Sequence, residues 1–330
     1  MKLQGALFGC GMISEFHLRG WSRIPEVEIV ALCNRTAARA EERRQQFVPE
    51  ARVYTSLDAL LASESLDFID ILTTPELHAV HCRAAMAAGL HIVCQKPLCE
   101  SLESASALAA EAGRYPRCFS VHENHRYRPW FQDALTLLHS GALGPLRFVR
   151  VEHLNATGPA VAYKQQAPTG VWLEYGSHLV DMMRALLGEP LAAHARMHHL
   201  NSSVRGESLL HATYDYPGCT AVVAAGWKQA ALTQGSVLLC GAAGEVWYEG
   251  SLTRGDSGRL RVSAGPVVLR DETISPHLQY VESFYLLQRE FIDALLGRNP
   301  IKQTAEQNLR TLITTFAAYD SASTGQVVRL

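Results

Sequence analysis

The segment LFGCGMIS at residues 7–14 constrains the fold of this chain more than any other feature. Gly9 and Gly11 end an apolar run and precede a helix-like stretch, as in a strand–turn–helix unit. The first glycine allows a tight turn, and the second lets a pyrophosphate approach the backbone at the helix N-terminus. Ser14 stands where a third glycine is usual, and a small residue there still permits close packing of helix on strand. The pattern predicts a dinucleotide-binding domain, with a glycine-rich turn that binds nothing as the alternative.

The first 120 residues alternate short apolar runs with amphipathic stretches of helical period. Strands connected by helices of ten to fifteen residues imply right-handed crossovers and a parallel sheet. We therefore predict a Rossmann-type, doubly wound parallel sheet for this part. The predicted strands are 3–9, 27–33, 52–54, 67–74, 91–94 and 117–122, and the predicted helices are 12–22, 36–47, 56–62, 76–88 and 101–113.

The pattern changes after Glu123, where strand-like runs follow one another without intervening helices. This predicts a C-terminal, mostly antiparallel open sheet with helices on one face. We expect two domains, a dinucleotide-binding domain at 1–122 and a substrate-binding and oligomerisation domain at 123–330. An apolar sheet face left uncovered favours burial against a second copy, so a homodimer or homotetramer is expected. The predicted strands are 146–155, 193–200, 208–216, 220–227, 235–240, 245–249 and 259–269, the predicted helices are 130–140, 177–187, 277–297 and 303–323, and 156–169 is predicted as a mobile flap.

The end of the second predicted strand indicates which dinucleotide would bind. NAD-specific domains usually carry Asp or Glu there, about 20 residues after the glycines, to bind the ribose 2′-hydroxyl. This chain has Asn34 and Arg35 instead, with Arg39 one turn later. A guanidinium without a carboxylate fits a 2′-phosphate, which predicts NADP in preference to NAD. The alternative is that Asn34 binds the ribose hydroxyls of NAD and Arg35 is merely exposed.

Composition excludes several classes of function. Thirty basic and 32 acidic side chains give a net charge of −2, which offers no support for binding nucleic acid or an anionic membrane. No apolar run reaches the ~20 residues of a membrane span, and the N-terminus shows no signal-peptide pattern. The eight cysteines show no paired spacing, so we expect them to be reduced. Together these features predict a cytoplasmic enzyme with a small-molecule substrate.

Six motifs in a fixed order carry a family resemblance. They are the glycine pattern, TTPELH at 73–78, AGLHIVCQKPL at 88–98, HRYRP at 125–129, GALGPLRFV at 141–149 and GVWLEYGSHLVDM at 170–182. In this order they resemble the Gfo/Idh/MocA family, which includes glucose–fructose oxidoreductase and inositol dehydrogenase. The resemblance spans nearly the whole chain and weakens after about residue 190. It implies the two-domain fold and a nicotinamide-dependent oxidoreductase.

The resemblance implies that Lys96 reaches the substrate hydroxyl beside the nicotinamide, and that the bond to Pro97 is cis. An ammonium group near a cationic nicotinamide has a lowered pKa and can stabilise an alkoxide or transfer a proton. A surface lysine after a strand is the alternative. The family usually has Glu where this chain has Gln95. The amide can still form hydrogen bonds, but it removes a negative charge near the cofactor. The electrostatic environment of the Lys96 ammonium group is therefore expected to differ from that in the family.

By the same resemblance His178 is the base that takes the hydroxyl proton, and its ordinary pKa suits that role. A buried structural histidine is the alternative. Glu174, four residues earlier, replaces the family's usual Asp and is expected either to bind a substrate hydroxyl or to orient His178. Asp181, one turn beyond, is either the orienting group or a helix-surface residue.

The remaining site residues follow from motif positions. Arg126 and Tyr127 are assigned to substrate binding and the domain junction. A metal is not expected, because the spacing of His78, His81 and Cys82 provides no fourth ligand. The cofactor-binding set is Gly9, Gly11, Met12, Ile13, Asn34, Arg35, Thr73, Thr74, Pro75, His78, Gln95 and Lys96.

The sequence thus predicts an NADP- or NAD-dependent oxidoreductase that interconverts a secondary alcohol and a ketone on a sugar or cyclic polyol. Two alternatives stay open. A glycosidase of the same family would oxidise its substrate transiently and show hydrolysis without net nucleotide turnover. A non-catalytic dinucleotide sensor would bind nucleotide without any turnover.

Overall fold

The computed structural model describes residues 2–159, 162–228, 233–253, 255 and 257–330, without the side chains of 162 and 163. The chain divides into two compact units. The first comprises Met1–Asn124 and Val281–Arg310, and the second comprises His125–Tyr280 and Thr311–Leu330. The sequence-based division at 122 places 281–310 in the second domain, whereas contacts group this segment with the first unit. The domain boundaries themselves stay a prediction.

The first unit is built on a parallel sheet of the predicted kind. Its strand order is β3-β2-β1-β4-β5-β6. Successive strands are added on one side of β1 up to β3 and on the other side from β4, as in a doubly wound fold. The predicted strands and helices are all present with small shifts at their ends. The strands are β1 (Leu3–Phe8), β2 (Val27–Cys33), β3 (Arg52–Tyr54), β4 (Phe68–Ile71), β5 (His91–Gln95) and β6 (Phe119–His122), and the helices are α1 (Ser14–Trp21), α2 (Ala37–Phe47), α3 (Leu57–Ser63), α4 (Pro75–Ala87) and α5 (Leu102–Arg114).

Aromatic packing accounts for the inclusion of residues 281–310 in this unit. The ring of Phe291 lies 5.8 Å from Phe68 and 6.3 Å from Trp21, each in an edge-to-face arrangement. All three side chains are almost completely buried. Such contacts between residues more than 200 positions apart leave no trace in local periodicity, so the sequence division missed them.

The second unit contains a mixed sheet of the order β14-β13-β12-β11-β7-β10-β9-β8-β15. Its pairs are antiparallel except for β7 and β10, which run parallel at the centre. The helices of this unit that are predicted at 130–140 and 177–187 are present. The strands are β7 (Leu146–Asn155), β8 (Ala192–His198), β9 (Leu209–Tyr216), β10 (Cys219–Trp227), β11 (Gln234–Gly241), β12 (Gly244–Glu249), β13 (Gly258–Ala264), β14 (Val267–Ile274) and β15 (Val328–Arg329), and the helices are α6 (Pro129–His139), α7 (Ala162–Gln166) and α8 (Ser177–Leu187). Two further helices, α9 (Pro276–Leu295) and α10 (Ala305–Thr324), each have residues in both units.

One predicted strand is wrong. The run 259–269 is a hairpin, in which β13 and β14 pair antiparallel across a turn at Gly265. Gly265 has a φ of +53°, a conformation that glycine adopts without strain. Both arms are rich in β-branched and apolar residues, and therefore the run looks continuous in the sequence. The predicted flap at 156–169 lies partly outside the described residues, and 162–166 form the short α7.

The two faces of the large sheet differ. Apolar side chains of alternate residues point to one face, where α8 packs on β7 and β10. The opposite face is polar along β8 and β9. Exposed polar side chains alternate along β8 and β9, namely His194, Arg196, His198 and His211. Among the described residues, no helix has the length and apolar character needed to cross a bilayer.

Candidate active site

The glycine turn after β1 has the geometry that dinucleotide binding requires. Gly9 has a φ of +111°, and a Cβ there would lie 2.6 Å from the Leu72 carbonyl oxygen, so only glycine fits. A Cβ on Gly11, in contrast, would meet no protein atom within 4 Å. Gly11 therefore borders open space, which is where a pyrophosphate approaches such a turn. The residues present fit a dinucleotide.

The start of α1 supports this fit. Ser14 is fully buried, and its hydroxyl donates to the Gly11 carbonyl over 2.6 Å, which closes the turn onto the helix. Among the described residues, no side chain caps the N-terminus of α1. The first N–H groups of a helix carry a partial positive charge, so an uncapped end is suited to an anion. Met12, assigned to the cofactor, is 55% exposed, and Ile13 is half-buried.

Asn34 has a structural role that the sequence did not reveal. Its side-chain oxygen accepts a hydrogen bond from the Cys10 N–H at 3.0 Å, and its nitrogen donates to the Thr36 carbonyl at 2.9 Å. The side chain thereby ties the glycine turn to the end of β2. Arg35 is exposed beside it. Direct contact of either residue with the cofactor stays a prediction.

His78 lies between the loop after β4 and the segment after β5. This ring is completely buried, with Nδ1 2.9 Å from the Pro97 carbonyl oxygen and Nε2 3.0 Å from the Thr73 carbonyl oxygen. Burial lowers the pKa of His78, and backbone hydrogen bonds at Thr73, Pro97 and Leu98 offset this in part. The neutral ring has one N–H, so it donates to one of the two carbonyls at a time. His78 therefore packs between the two site loops. Thr74 precedes α4 and Pro75 begins it, and their predicted cofactor contacts stay predictions.

Lys96 follows β5, and its peptide bond to Pro97 is cis, as the resemblance implied. The side chain of Gln95 turns back to accept the Lys96 backbone N–H at 2.8 Å. The amide nitrogen of Gln95 lies 3.1 Å from Nε2 of His17. His17 was not among the site residues predicted from the sequence. The sequence feature that points to it is its position four residues before Trp21, on the buried side of α1.

In the second unit, His178 lies in the first turn of α8 and is 6% exposed. Its ring stacks on His125 with centroids 3.8 Å apart. Glu174 forms an ion pair with Lys164 of α7. Glu174 lies in a π-helical segment, Trp172–Gly176, which leads directly into α8. The catalytic roles of His178 and Glu174 stay predictions.

Asp181 is not a helix-surface residue, so that alternative is wrong. It is completely buried and forms a bidentate ion pair with Arg126, with both N–O distances 2.6 Å. The Thr311 hydroxyl also donates to it at 3.1 Å. Burial of the carboxylate is possible because the guanidinium and hydroxyl compensate its charge. Substrate binding by Arg126 stays a prediction, as it does for the buried Tyr127.

Glu207 is a second residue that sequence reasoning missed. This buried carboxylate accepts hydrogen bonds from the N–H groups of Gly170 and Trp172, both at 2.8 Å, and from the Tyr319 hydroxyl at 2.8 Å. It therefore anchors the start of the segment that carries Glu174. A single Glu in a loop gave no pattern by which to find it.

Comparison with known proteins agrees with this geometry. A family model described as "Oxidoreductase family, NAD-binding Rossmann fold" matches residues 3–123, and the "GFO/IDH/MocA C-terminal domain" matches residues 131–247. A D-apiose dehydrogenase of Paraburkholderia graminis is 31% identical over all of this chain and 90% of its own length. An oxidoreductase from Agrobacterium radiobacter, solved with NAD+, L-tartaric acid and magnesium, has a TM-score of 0.87 and 26% identity, covering 100% of this chain and 98% of its own. GenD2 from gentamicin A biosynthesis, solved with NAD, has a TM-score of 0.86 and 25% identity, covering 100% and 96%.

The fold and the glycine turn define an oxidoreductase of the NAD-binding Rossmann class. Family models match both halves of the chain, and one relative aligns with all of it. These matches narrow the assignment from this class to a single family. The chain belongs to the Gfo/Idh/MocA family. The predicted family, fold class and enzyme class are thereby confirmed.

Proposed function

We propose that this protein interconverts a secondary alcohol and a ketone on a sugar or cyclic polyol, using NADP or NAD. One observation carries the proposal within the first unit. Lys96 follows β5 and the Gly9 turn follows β1, in a sheet whose strands are all parallel. Both therefore lie at the carboxyl edge of the sheet, where ligands of such folds bind. The name of the D-apiose dehydrogenase supports the substrate class.

The chain's own residues hold and move the proton. The Lys96 ammonium stabilises the developing alkoxide, and His178 accepts the hydroxyl proton. Glu174 hydrogen-bonds a neighbouring substrate hydroxyl or orients His178. Gly9 and Gly11 hold the pyrophosphate at the start of α1. A bound nicotinamide would supply the hydride acceptor for oxidation and the hydride donor for reduction.

Turnover with a panel of sugars and cyclic polyols tests this function, followed at the nicotinamide absorbance band. Lys96→Ala and His178→Ala are expected to abolish turnover and leave nucleotide binding intact. The matched controls are Lys302→Ala and His139→Ala, which change exposed residues of the same types. Full activity of both site variants would refute the proposed roles, and a panel without any absorbance change would refute the function.

We also propose that NADP is preferred to NAD. The support is chemical, because Arg35 is an exposed guanidinium at the end of β2 and no carboxylate stands at 34 or 35 to repel a phosphate. Arg35→Ala should lower kcat/KM for NADP by ~10-fold and leave NAD unchanged. Arg329→Ala, at the end of the chain, is the control. Equal or better use of NAD by the unchanged protein would contradict the preference.

A homodimer or homotetramer through the C-terminal sheet is part of the proposal. On one face of the sheet, His194 and Arg196 of β8 are exposed, and this face is the surface proposed for a second copy. Sedimentation at micromolar concentration tests it, and a monomer alone would contradict it. The cytoplasmic location stays a prediction from cysteine usage.

A further inference from the structure

The carboxamide of Gln95 has its orientation fixed by two neighbours. The Lys96 backbone N–H lies 2.8 Å from one of its atoms, and an N–H group can only donate, so that atom is the oxygen. The opposite atom, 3.1 Å from Nε2 of His17, is therefore the NH2 group. This group also can only donate. Nε2 of His17 must then accept, which means that it carries no proton.

The other side of His17 completes the assignment. Its Nδ1 lies 2.8 Å from Oδ2 of Asp70, which suits a donated hydrogen bond from Nδ1–H to a carboxylate. The indole N–H of Trp21 donates to the same oxygen at 2.7 Å. A single chain of hydrogen bonds thus runs from Asp70 through a neutral His17 and Gln95 to the backbone of Lys96.

Burial makes this chain of bonds difficult to replace. His17 and Asp70 are both completely buried, so water is not available as an alternative partner. The ring of His122 lies 4.1 Å from that of His17, and Phe284 approaches its edge at 5.2 Å. Asp70 and His122 are titratable groups in contact with His17, and Phe284 and Gln288 contact it from the segment at 281–310.

The neighbouring backbone is fixed as well. The Gln288 amide donates to the His17 carbonyl at 3.1 Å. A Cβ on Gly20 would lie 2.0 Å from the Gln288 side-chain oxygen, so a larger residue there would displace the Gln288 amide. His17 is therefore held from its backbone as well as from its ring.

We propose that Gln95 and His17 are positioning residues that aim Lys96, and that glutamine at 95 matches a His17 carrying one proton. The inference rests on the proposed function, in which Lys96 acts on the substrate hydroxyl. A glutamate at 95 would offer His17 an acceptor instead of a donor. His17 would then need a second proton on Nε2, or two lone pairs would face each other in a buried site. Gln95 thus satisfies both Nε2 of His17 and the Lys96 N–H when His17 carries its single proton on Nδ1.

Gln95→Glu tests the proposal through turnover. The variant keeps an oxygen for the Lys96 N–H but places an acceptor, in place of a donor, before Nε2 of His17. Its kcat should fall ~10-fold or more relative to the unchanged enzyme. Gln326→Glu is the control, because it makes the same change at an exposed site. Unchanged kcat in a folded Gln95→Glu variant would overturn the proposal.

Gln95→Met removes both hydrogen bonds with little change in volume. It should lower kcat ~10- to 100-fold at every pH and leave KM within about threefold, because substrate binding is retained while Lys96 is misdirected. A purely structural role would lower the melting temperature alone. Unchanged kcat in a folded Gln95→Met variant would therefore also overturn the proposal.

Nitrogen-15 NMR of the imidazoles separates this proposal from the proposed function, because it needs neither substrate nor nucleotide. His17 should carry its proton on Nδ1 in the unchanged protein, and the Nε2 signal should shift in Gln95→Glu because its neighbour changes from a donor to an acceptor. A proton on Nε2 in the unchanged protein would overturn the proposal. If the NMR result is as expected but Lys96→Ala stays active, the catalytic role of Lys96 is wrong, while the hydrogen-bond chain still holds.

Discussion

Replacement of Glu207 by alanine should loosen the segment that carries Glu174 and His178. The Glu207 carboxylate accepts three hydrogen bonds, from the N–H groups of Gly170 and Trp172 and from the Tyr319 hydroxyl. Alanine removes all three and leaves the donors buried. Gly170 precedes the π-helical segment and Trp172 begins it. We therefore expect this segment to open locally before the protein unfolds globally.

The magnitude follows from the bond count. A hydrogen bond to a charged group contributes ~1.5–3 kcal/mol, so three bonds set an upper limit of ~4.5–9 kcal/mol. Water entering the vacated space will satisfy some of the donors. The expected destabilisation of Glu207→Ala is therefore ~3–5 kcal/mol, the range seen when one partner of a buried charged pair is removed. Glu207→Gln keeps one oxygen and the volume, and should lose about 1–2 kcal/mol.

Hydrogen exchange of the Gly170 and Trp172 amides measures this directly. Since about 1.4 kcal/mol corresponds to a factor of ten, exchange in Glu207→Ala should be ~100-fold faster or more. Tyr319→Phe is the partial control, because it removes one donor to Glu207 and leaves both amide bonds. Turnover should fall in Glu207→Ala, while nucleotide binding in the first unit is unchanged. Unaltered exchange at both amides would refute the reasoning.

Three further results are expected. Burial lowers the pKa of His153 from 6.5 to about 3, so the folded state favours the neutral ring. The stability of the folded state that depends on this neutral ring is fully present above pH 6.5 and is lost as the pH falls towards 3. His153→Phe should therefore weaken the pH dependence of the urea midpoint between pH 6.5 and 3. Gly9→Ala should lower the melting temperature and abolish nucleotide binding by calorimetry, because its Cβ would lie 2.6 Å from the Leu72 carbonyl oxygen; unchanged binding would contradict this. Asp181→Ala should cost ~3–5 kcal/mol in urea unfolding because it leaves the Arg126 guanidinium without its buried partner, and a loss below about 1 kcal/mol would count against that reading.

Local patterns were sufficient for most of the first unit. The strands and helices there are regular, and each has the periodicity of a parallel sheet with covering helices. The glycine turn was also readable, because Gly9 and Gly11 stand directly between a strand and a helix. The hairpin at Gly265 was missed because both arms are β-rich, although the Gly265–Pro266 dipeptide is typical of a turn.

The sequence by itself determined the family, the doubly wound sheet and the positions of Lys96 and His178 on their elements. These depend on short motifs and on the burial period of single elements, which neighbouring residues encode. Only the tertiary structure decided the partners of the site residues. His17 meets Asp70 across 53 positions and Gln95 across 78, and Glu207 meets Tyr319 across 112. Pairings of this kind depend on which strands and helices lie side by side, and the pattern of a single segment does not contain that information.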